Sequence, residues 1–294
     1  MPASQPTLLV TGAAGQLGRQ VVKHLVATKA GRIIAATRDT EKLKDLEGVE
    51  VRRADFDDAG SLAKAFAGVD RALIVSTDAL GRPSGRHAHH ASAAKAAAAA
   101  GVRHILYTSI TSPRPDPADP IADDHFQTEA AIMAGPTGWT MLRNNLYADT
   151  ILWSLPLAVK SGEFFTATGR GGRSYVTRAD CAAVAAAALA SDFDGKRVLD
   201  VTGPAAVTQD EIAAMASEIT GRKVVHKSVG ATERKKQLLA AGVPEIYADV
   251  TLGFEVATAQ GYFAIATPAV EQLTGHKPTS VREYLTAHKA ALLG

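Results

Sequence analysis

The sequence predicts an α/β fold: a doubly wound parallel sheet joined to a smaller, mostly helical C-terminal α/β domain. Three observations predict it. Residues 7–22 run from an apolar strand through the spaced glycines Gly12, Gly15 and Gly18 into a helical apolar stripe. Short apolar strands then alternate with helical segments as far as Arg143, the pattern of a parallel sheet covered on both faces. After Asn145 the alternation stops, and aromatic, glycine-rich and helical stretches take over.

In chain order, Thr7-Leu8-Leu9-Val10 is the first strand, and the helix after the turn carries Leu17, Val21, Val22 and Leu25 on one face. Further strands are expected at residues 32–37, 49–52, 71–76, 104–109 and 139–143. Helices are expected near 17–27, 61–66, 86–100 and 123–133, with Gly48, Gly68, Gly101 and Gly135 as stops. Residues 146–153 and the Gly169-Arg170-Gly171-Gly172-Arg173 run leave the sheet. Residues 182–190 read as a helix and 198–201 as one further strand, and Thr208 with Glu211 three residues later forms a capping box. Helical segments around 233–241, 245–256 and 281–292 then surround one short strand at 223–226. The expected domains are residues 1–145, with 172–202 returning to them, and a smaller one of residues 146–171 and 203–294. The smaller domain would lie over the carboxyl ends of the strands, where open α/β sheets hold their ligands.

The chain has 294 residues, enough to bury a substantial core. Its 46% hydrophobic and 21% charged content is that of a globular protein, and the net charge of +2 points away from nucleic acid. The single cysteine, Cys181, excludes an intrachain disulfide framework and reads as a small buried hydrophobe in a reducing compartment. Residues 1–6 are a short polar lead without a signal-peptide pattern, so a cytoplasmic location is expected. The alanine-rich tract 91–101 contains Ser92 and Lys95 and is far shorter than the roughly 20 residues of a membrane span.

The glycine turn suits a dinucleotide. Gly12 allows a sharp turn, Gly15 lets backbone approach a pyrophosphate, Gly18 lets the helix lie close on its strand, and the unpaired amides of the helix start face the anion. Arg38 ends the second strand, 20 residues after Gly18, where such a fold chooses between an acid for a free ribose and an arginine for a 2′-phosphate. Arg38 favours NADP, while the adjacent Asp39 could instead take a ribose hydroxyl. Asp55 and Phe56 follow the third strand and could flank an adenine, or form a turn with one buried ring. Ser76-Thr77 and Tyr107-Thr108-Ser109 end two strands at the same crevice and would supply hydroxyls for ribose or pyrophosphate. His87, His89 and His90 lack a carboxylate or cysteine at a ligand spacing, so no metal is expected and they read as solvent-facing. His125 and Glu129, four apart, are either a polar pair near the strand ends or an exposed helix pair. No Tyr-x-x-x-Lys dyad exists, since Tyr107 is followed four residues later by Thr111 and Tyr147 by Ile151. Reduction of a simple ketone needs such an acid, whereas hydride addition to a quinone or a cationic dye gives a weakly basic product that takes its proton from water.

The run Thr11-Gly12-Ala13-Ala14-Gly15-Gln16-Leu17-Gly18, with Thr37-Arg38-Asp39, Tyr107-Thr108-Ser109, the helix from Asp124-His125 to Thr128-Glu129, Leu142-Arg143-Asn144 with Tyr147, and Thr177-Arg178-Ala179-Asp180, resembles the NmrA-like atypical short-chain dehydrogenase/reductases. Within that family the chain is most similar to the bacterial NAD(P)H:quinone oxidoreductase and triphenylmethane reductase members. The resemblance implies a Rossmann core and NADPH held along Gly12, Ala13, Ala14, Gly15, Gln16, Leu17, Gly18 and Arg38. It implies a nicotinamide beside Asn144, Asn145, Tyr147 and Val176, and a small-molecule acceptor, a quinone or a dye, lodged between the domains. Tyr147, Thr150 and His125 are the catalytic candidates. Thr150 stands where relatives often carry Asn, and Ala131 where many carry Lys. The competing reading is a non-catalytic, NADP-binding redox sensor. No nucleic-acid or membrane partner is expected, and a homodimer stays open.

Overall fold

The computed structural model describes residues 5–79, 85–116 and 119–294, so only the end of the polar lead 1–6 falls within it. β1 (Thr7–Val10) leads through the glycine turn into α1 (Gln16–Ala27), which buries Leu17, Val21, Val22 and Leu25 as their spacing requires. β2 (Arg32–Thr37), β3 (Glu50–Arg53), α2 (Ala59–Phe66), β4 (Arg71–Ile74), α3 (Gly85–Ala99), β5 (His104–Ile110), α4 (Pro120–Met133) and β6 (Gly138–Asn144) follow. Next come α5 (Leu155–Ser161), β7 (Glu163–Thr166), β8 (Gly172–Arg173), α6 (Arg178–Ala190) and β9 (Lys196–Val201). The remainder is β10 (Val207–Thr208), α7 (Gln209–Thr220), β11 (Val225–Ser228), α8 (Ala231–Ala240), α9 (Glu245–Ala259), α10 (Ala269–Thr274), α11 (Val281–Ala287) and α12 (Lys289–Leu293).

The central sheet has seven strands in the order β3-β2-β1-β4-β5-β6-β9. The ladders of β1 with β2 and β4, β2 with β3, and β4 with β5 are parallel. Trp139 N–H donates to Gly195 O and Asn145 N–H to Val201 O, a constant offset, so β9 runs parallel to β6 as well. The order reverses between β1 and β4, so a crevice opens at their carboxyl ends, the topological switch point of a Rossmann-like sheet. β1, β4 and β5 are buried along their whole length, as strands covered on both faces must be.

The chain divides into two compact units. The first comprises Met1–Pro115, Asp124–Arg143 and Cys181–Leu199; the second comprises Asp116–Asp123, Asn144–Asp180 and Asp200–Gly294. In the first, Leu9, Ile34, Leu62, Phe66, Ile74, Ile105 and Met141 form the core with the small Ala93 and Ala97 of α3. In the second, Ile151, Leu155, Phe164, Ile212, Val224, Leu285 and Leu292 pack together.

The second unit is where the structure departs from the sequence-based expectation. The strand expected at 223–226 is β11, shifted to Val225–Ser228, and it pairs in parallel with β7, which has no separate sequence signal. β8 and β10 form a further antiparallel pair. The helix expected at 281–292 breaks at His288 into α11 and α12. α5 and α10 are short helices closed by Gly162 and Gly275, both left-handed, and they lie in stretches to which the sequence assigned no element. The Thr208/Glu211 capping box forms as expected, with a second at Ser280 and Glu283.

Candidate functional site

The glycine turn of the first unit is built by backbone contacts that exclude side chains. Gly12 adopts φ of 60°, and its carbonyl accepts from Gly15 N–H at 2.9 Å. A Cβ on Gly18 would stand 2.4 Å from that same carbonyl, so only glycine lets α1 start there. The turn is pinned at the switch point, because Thr11 N–H donates to Leu73 O at 2.9 Å and Val75 N–H to the Thr11 hydroxyl at 2.9 Å. The first-turn amides of Gln16, Leu17 and Gly18 have no helical carbonyl to bond, and Gly15 at the N-cap has no side chain to cover them. The turn is a cradle for an anion.

At the end of β2 the structure separates two neighbours. Asp39 caps the 3-10 turn Thr40–Leu43 by accepting from Glu41 N–H at 3.2 Å. Arg38 is exposed and has no hydrogen-bond or ion-pair partner among the described residues. Asp55 accepts from Arg53 at 3.1 Å and from Asp57 N–H, and Phe56 packs on the core with its ring edge-on to His89.

The ends of β4 and β5 are stitched together. Ser76 N–H donates to Thr108 Oγ1 at 2.8 Å, and Thr108 donates onward to Ser76 Oγ at 3.1 Å. Ser109 Oγ is buried with no partner among the described residues. These features fit a dinucleotide: uncapped amides, an unpaired cation beyond β2, and an orphaned buried hydroxyl at the end of β5.

Tyr107 requires a correction. Strand alternation turns it away from Thr108 and into the core, where it is fully buried, and its hydroxyl is spent on His125 Nδ1 at 2.8 Å and His90 Nδ1 at 3.1 Å. It offers no hydroxyl to the crevice. The solvent-facing reading of the histidine run is also overturned: His89 and His90 are buried, His89 against Asp57 at 2.7 Å and His90 accepting from Thr77 N–H at 2.9 Å. His125 and Glu129 are neither exposed nor a pair. His125 bonds Tyr107, while Glu129 takes a two-point contact from Arg143 at 3.0 and 2.6 Å. Burial holds the His90 imidazole down at about 3, with the Arg86 charge adding, and holds His125 well below the ordinary histidine value. Burial likewise pushes the Tyr107 phenol up, so it is no acid at neutral pH.

In the second unit, Tyr147 and Val176 lie side by side in a short parallel bridge, fixed by Ala148 N–H to Val176 O at 2.9 Å and Val176 N–H to Leu146 O at 3.2 Å. Asn144 donates to the Tyr147 hydroxyl at 3.3 Å, and its buried Oδ1 has no partner among the described residues. Asn145 is a structural residue, donating to Phe263 O at 3.0 Å and accepting from Leu146 N–H at 2.8 Å. Thr150 donates back to Tyr147 O at 2.7 Å. Arg178 covers the Tyr147 ring at 4.9 Å while paired to Asp149 at 2.7 Å. The Thr177-to-Asp180 motif is a cap: the Thr177 hydroxyl accepts from Asp180 N–H at 3.0 Å and donates to the Asp180 carboxylate at 2.6 Å.

Sequence reasoning missed Arg86, whose guanidinium is buried and donates to Thr77 O at 2.7 Å. The available signal was its place on a helical stripe with His90, Ala93 and Ala97. Among the described residues no group of His, Cys, Asp and Glu could hold a metal ion. No described helix is long and apolar enough to cross a membrane.

Comparison with known proteins agrees with this geometry. A family described as NAD(P)H-binding matches residues 12–192. Quinone oxidoreductase 2 of Escherichia coli is 32% identical over 279 residues, covering 94% of this chain and 96% of its own. The structure of Citrobacter sp. triphenylmethane reductase complexed with NADP(H) superposes with a TM-score of 0.88 at 36% identity, covering 96% of this chain and 99% of that one. The negative transcriptional regulator NmrA, at 16% identity and a TM-score of 0.75 over 96% of this chain and 95% of its own, shares the fold. The chain belongs to the NAD(P)H-binding family.

Proposed function

We propose that the protein is an NADPH-dependent reductase that passes hydride to a quinone or a related conjugated, dye-like acceptor. The observation that carries this reading is a dinucleotide cradle with an unpaired Arg38 beside it and no tyrosine–lysine acid anywhere in the chain. NADPH, when bound, supplies the hydride. The amides at the start of α1 take its pyrophosphate, Arg38 its 2′-phosphate, and the hydroxyls of Ser76, Thr77, Thr108 and Ser109 its sugars. Asn144, Tyr147, Thr150 and Val176 orient the nicotinamide, the Asn144 Oδ1 being an acceptor left open for an amide donor. The first unit carries the dinucleotide cradle, and residues 146–171 and 203–294, which fall in the second unit, contribute to the acceptor site.

Positioning does most of the work. The buried phenol of Tyr107 and the neutral His90 and His125 supply no proton, so the reduced quinone takes its proton from water, which its stabilised oxyanion allows. A cytoplasmic location fits the lone, buried Cys181. The test is oxidation of NADPH and NADH across a panel of quinones and cationic triphenylmethane dyes. Acceptor-dependent turnover with NADPH preferred supports the reading. Binding of NADPH by calorimetry with no turnover on any acceptor would overturn it in favour of a sensor.

A further inference from the structure

A closed ring of buried polar groups in the first unit is not used by the hydride chemistry. Thr77 N–H donates to His90 Nε2 at 2.9 Å, so the His90 proton sits on Nδ1, 3.1 Å from the Tyr107 hydroxyl and 3.2 Å from Thr128 Oγ1. Arg86 can only donate, so His125 Nε2, 3.3 Å from its guanidinium, is an acceptor. The His125 proton is then on Nδ1, 2.8 Å from the same Tyr107 hydroxyl. Arg86 Nε closes the ring on Thr77 O at 2.7 Å. Thr128 Oγ1, which gives its own proton to Asp124 O at 2.7 Å, is a second acceptor within reach of the His90 Nδ1 proton.

These bonds leave each histidine a single permitted tautomer. The ring spans α3, β5 and α4 and closes on the backbone of Thr77. Both backbone polar groups of Thr77 are consumed, so the chain just beyond β4 is held from beneath at a fixed pitch. Ser76, one residue earlier, is held from the side by Thr108. Geometry of this kind serves orientation, because an isolated strand end needs neither a dedicated arginine nor two histidines to stay folded.

We propose that Arg86, His90, Tyr107 and His125 are positioning residues that set the Ser76-Thr77 end of β4 for the nucleotide, with the Tyr107 hydroxyl as hub. This rests on the reading that the end of β4 contacts NADPH. The ring acts on cofactor affinity and leaves hydride transfer itself alone.

The test compares Tyr107→Phe and Thr128→Val with Met141→Ala, which opens a hole in the same core and removes none of the ring's polar groups. Removing the hub hydroxyl in Tyr107→Phe is expected to weaken NADPH binding by about tenfold, and removing the peripheral hydroxyl in Thr128→Val by about threefold. At saturating NADPH, kcat should stay within about twofold of the parent. Met141→Ala should lower Tm with an unchanged NADPH Kd. If the ring variants lose Tm but keep the parental Kd, as Met141→Ala does, the ring is structural and the proposal is overturned. If the parent protein itself binds no NADPH, the underlying reading fails, and the inference with it.

Discussion

Two residues of the nucleotide cradle carry sharp consequences. Gly18→Ala drives a Cβ to 2.4 Å from the Gly12 carbonyl, a backbone atom that cannot swing aside. The variant should lose about 1–3 kcal/mol of stability in a denaturant titration and, with the turn displaced, most of its NADPH affinity. Arg38→Ala removes a charge whose only proposed partner is the 2′-phosphate, so NADPH binding should weaken about tenfold or more while NADH binding is unchanged. Equal losses for the two nucleotides would remove the assignment. The three glycines were legible because their roles are backbone roles written in spacing. The sequence favoured Arg38 over Asp39, although either side chain suits the position. The structure distinguishes them by use: Asp39 caps the next turn, and Arg38 is unengaged. Tyr107 was misplaced because strand-end hydroxyls were counted without their face, and in a strand buried on both sides polarity does not reveal which face a residue takes.

At the scale of elements, buried polar contacts bind the sheet to its covering helices. Arg71 at the start of β4 donates to Ala188 O, Leu189 O and Phe193 O, satisfying the last carbonyls of α6 and the turn beyond it. Burial lowers its guanidinium to about 10, so it remains charged there at neutral pH. Arg71→Met should therefore cost about 3 kcal/mol in chemical unfolding, through stranded carbonyls more than lost packing. The histidines add a pH signature. Burial, with nearby Arg charge second, holds His90 at about 3 and His104 at about 4, both below their unfolded value. Between the ordinary histidine pKa and those values the unfolded chain binds protons that the folded chain refuses, so stability is full above about pH 6.5 and falls as the pH drops. Each should cost about 2 kcal/mol at pH 5, and a Tm that stays level between pH 7 and pH 5 would contradict this. The alanine-rich α3 was located correctly, but its histidines were read by residue type. Continuing the Ala93/Ala97 stripe back to His90 and Arg86 would have put both inside.

Across the whole molecule, the sheet was readable, and of the second unit only the longer helices were. Strands and helices in the first unit alternate with short connections, so period and glycine punctuation mark each element. The second unit uses two-residue strands, a parallel pair drawn from β7 and β11 far apart in sequence, and helices of seven residues or fewer. Such elements are shorter than the window over which hydrophobic periodicity can be seen, and tertiary packing decides them. The same limit holds for the candidate site. Its phosphate end is a local motif, whereas Tyr147 and Val176 meet only through a bridge between segments 29 positions apart. The central claim, direct hydride transfer from a fixed nicotinamide without an acid from the protein, is tested most directly by single-turnover reduction of a quinone with NADPH deuterated at one or the other position of its reactive carbon. Deuterium at one position should slow the reaction severalfold and at the other leave it unchanged. No reduction, or a rate indifferent to both labels, would contradict it.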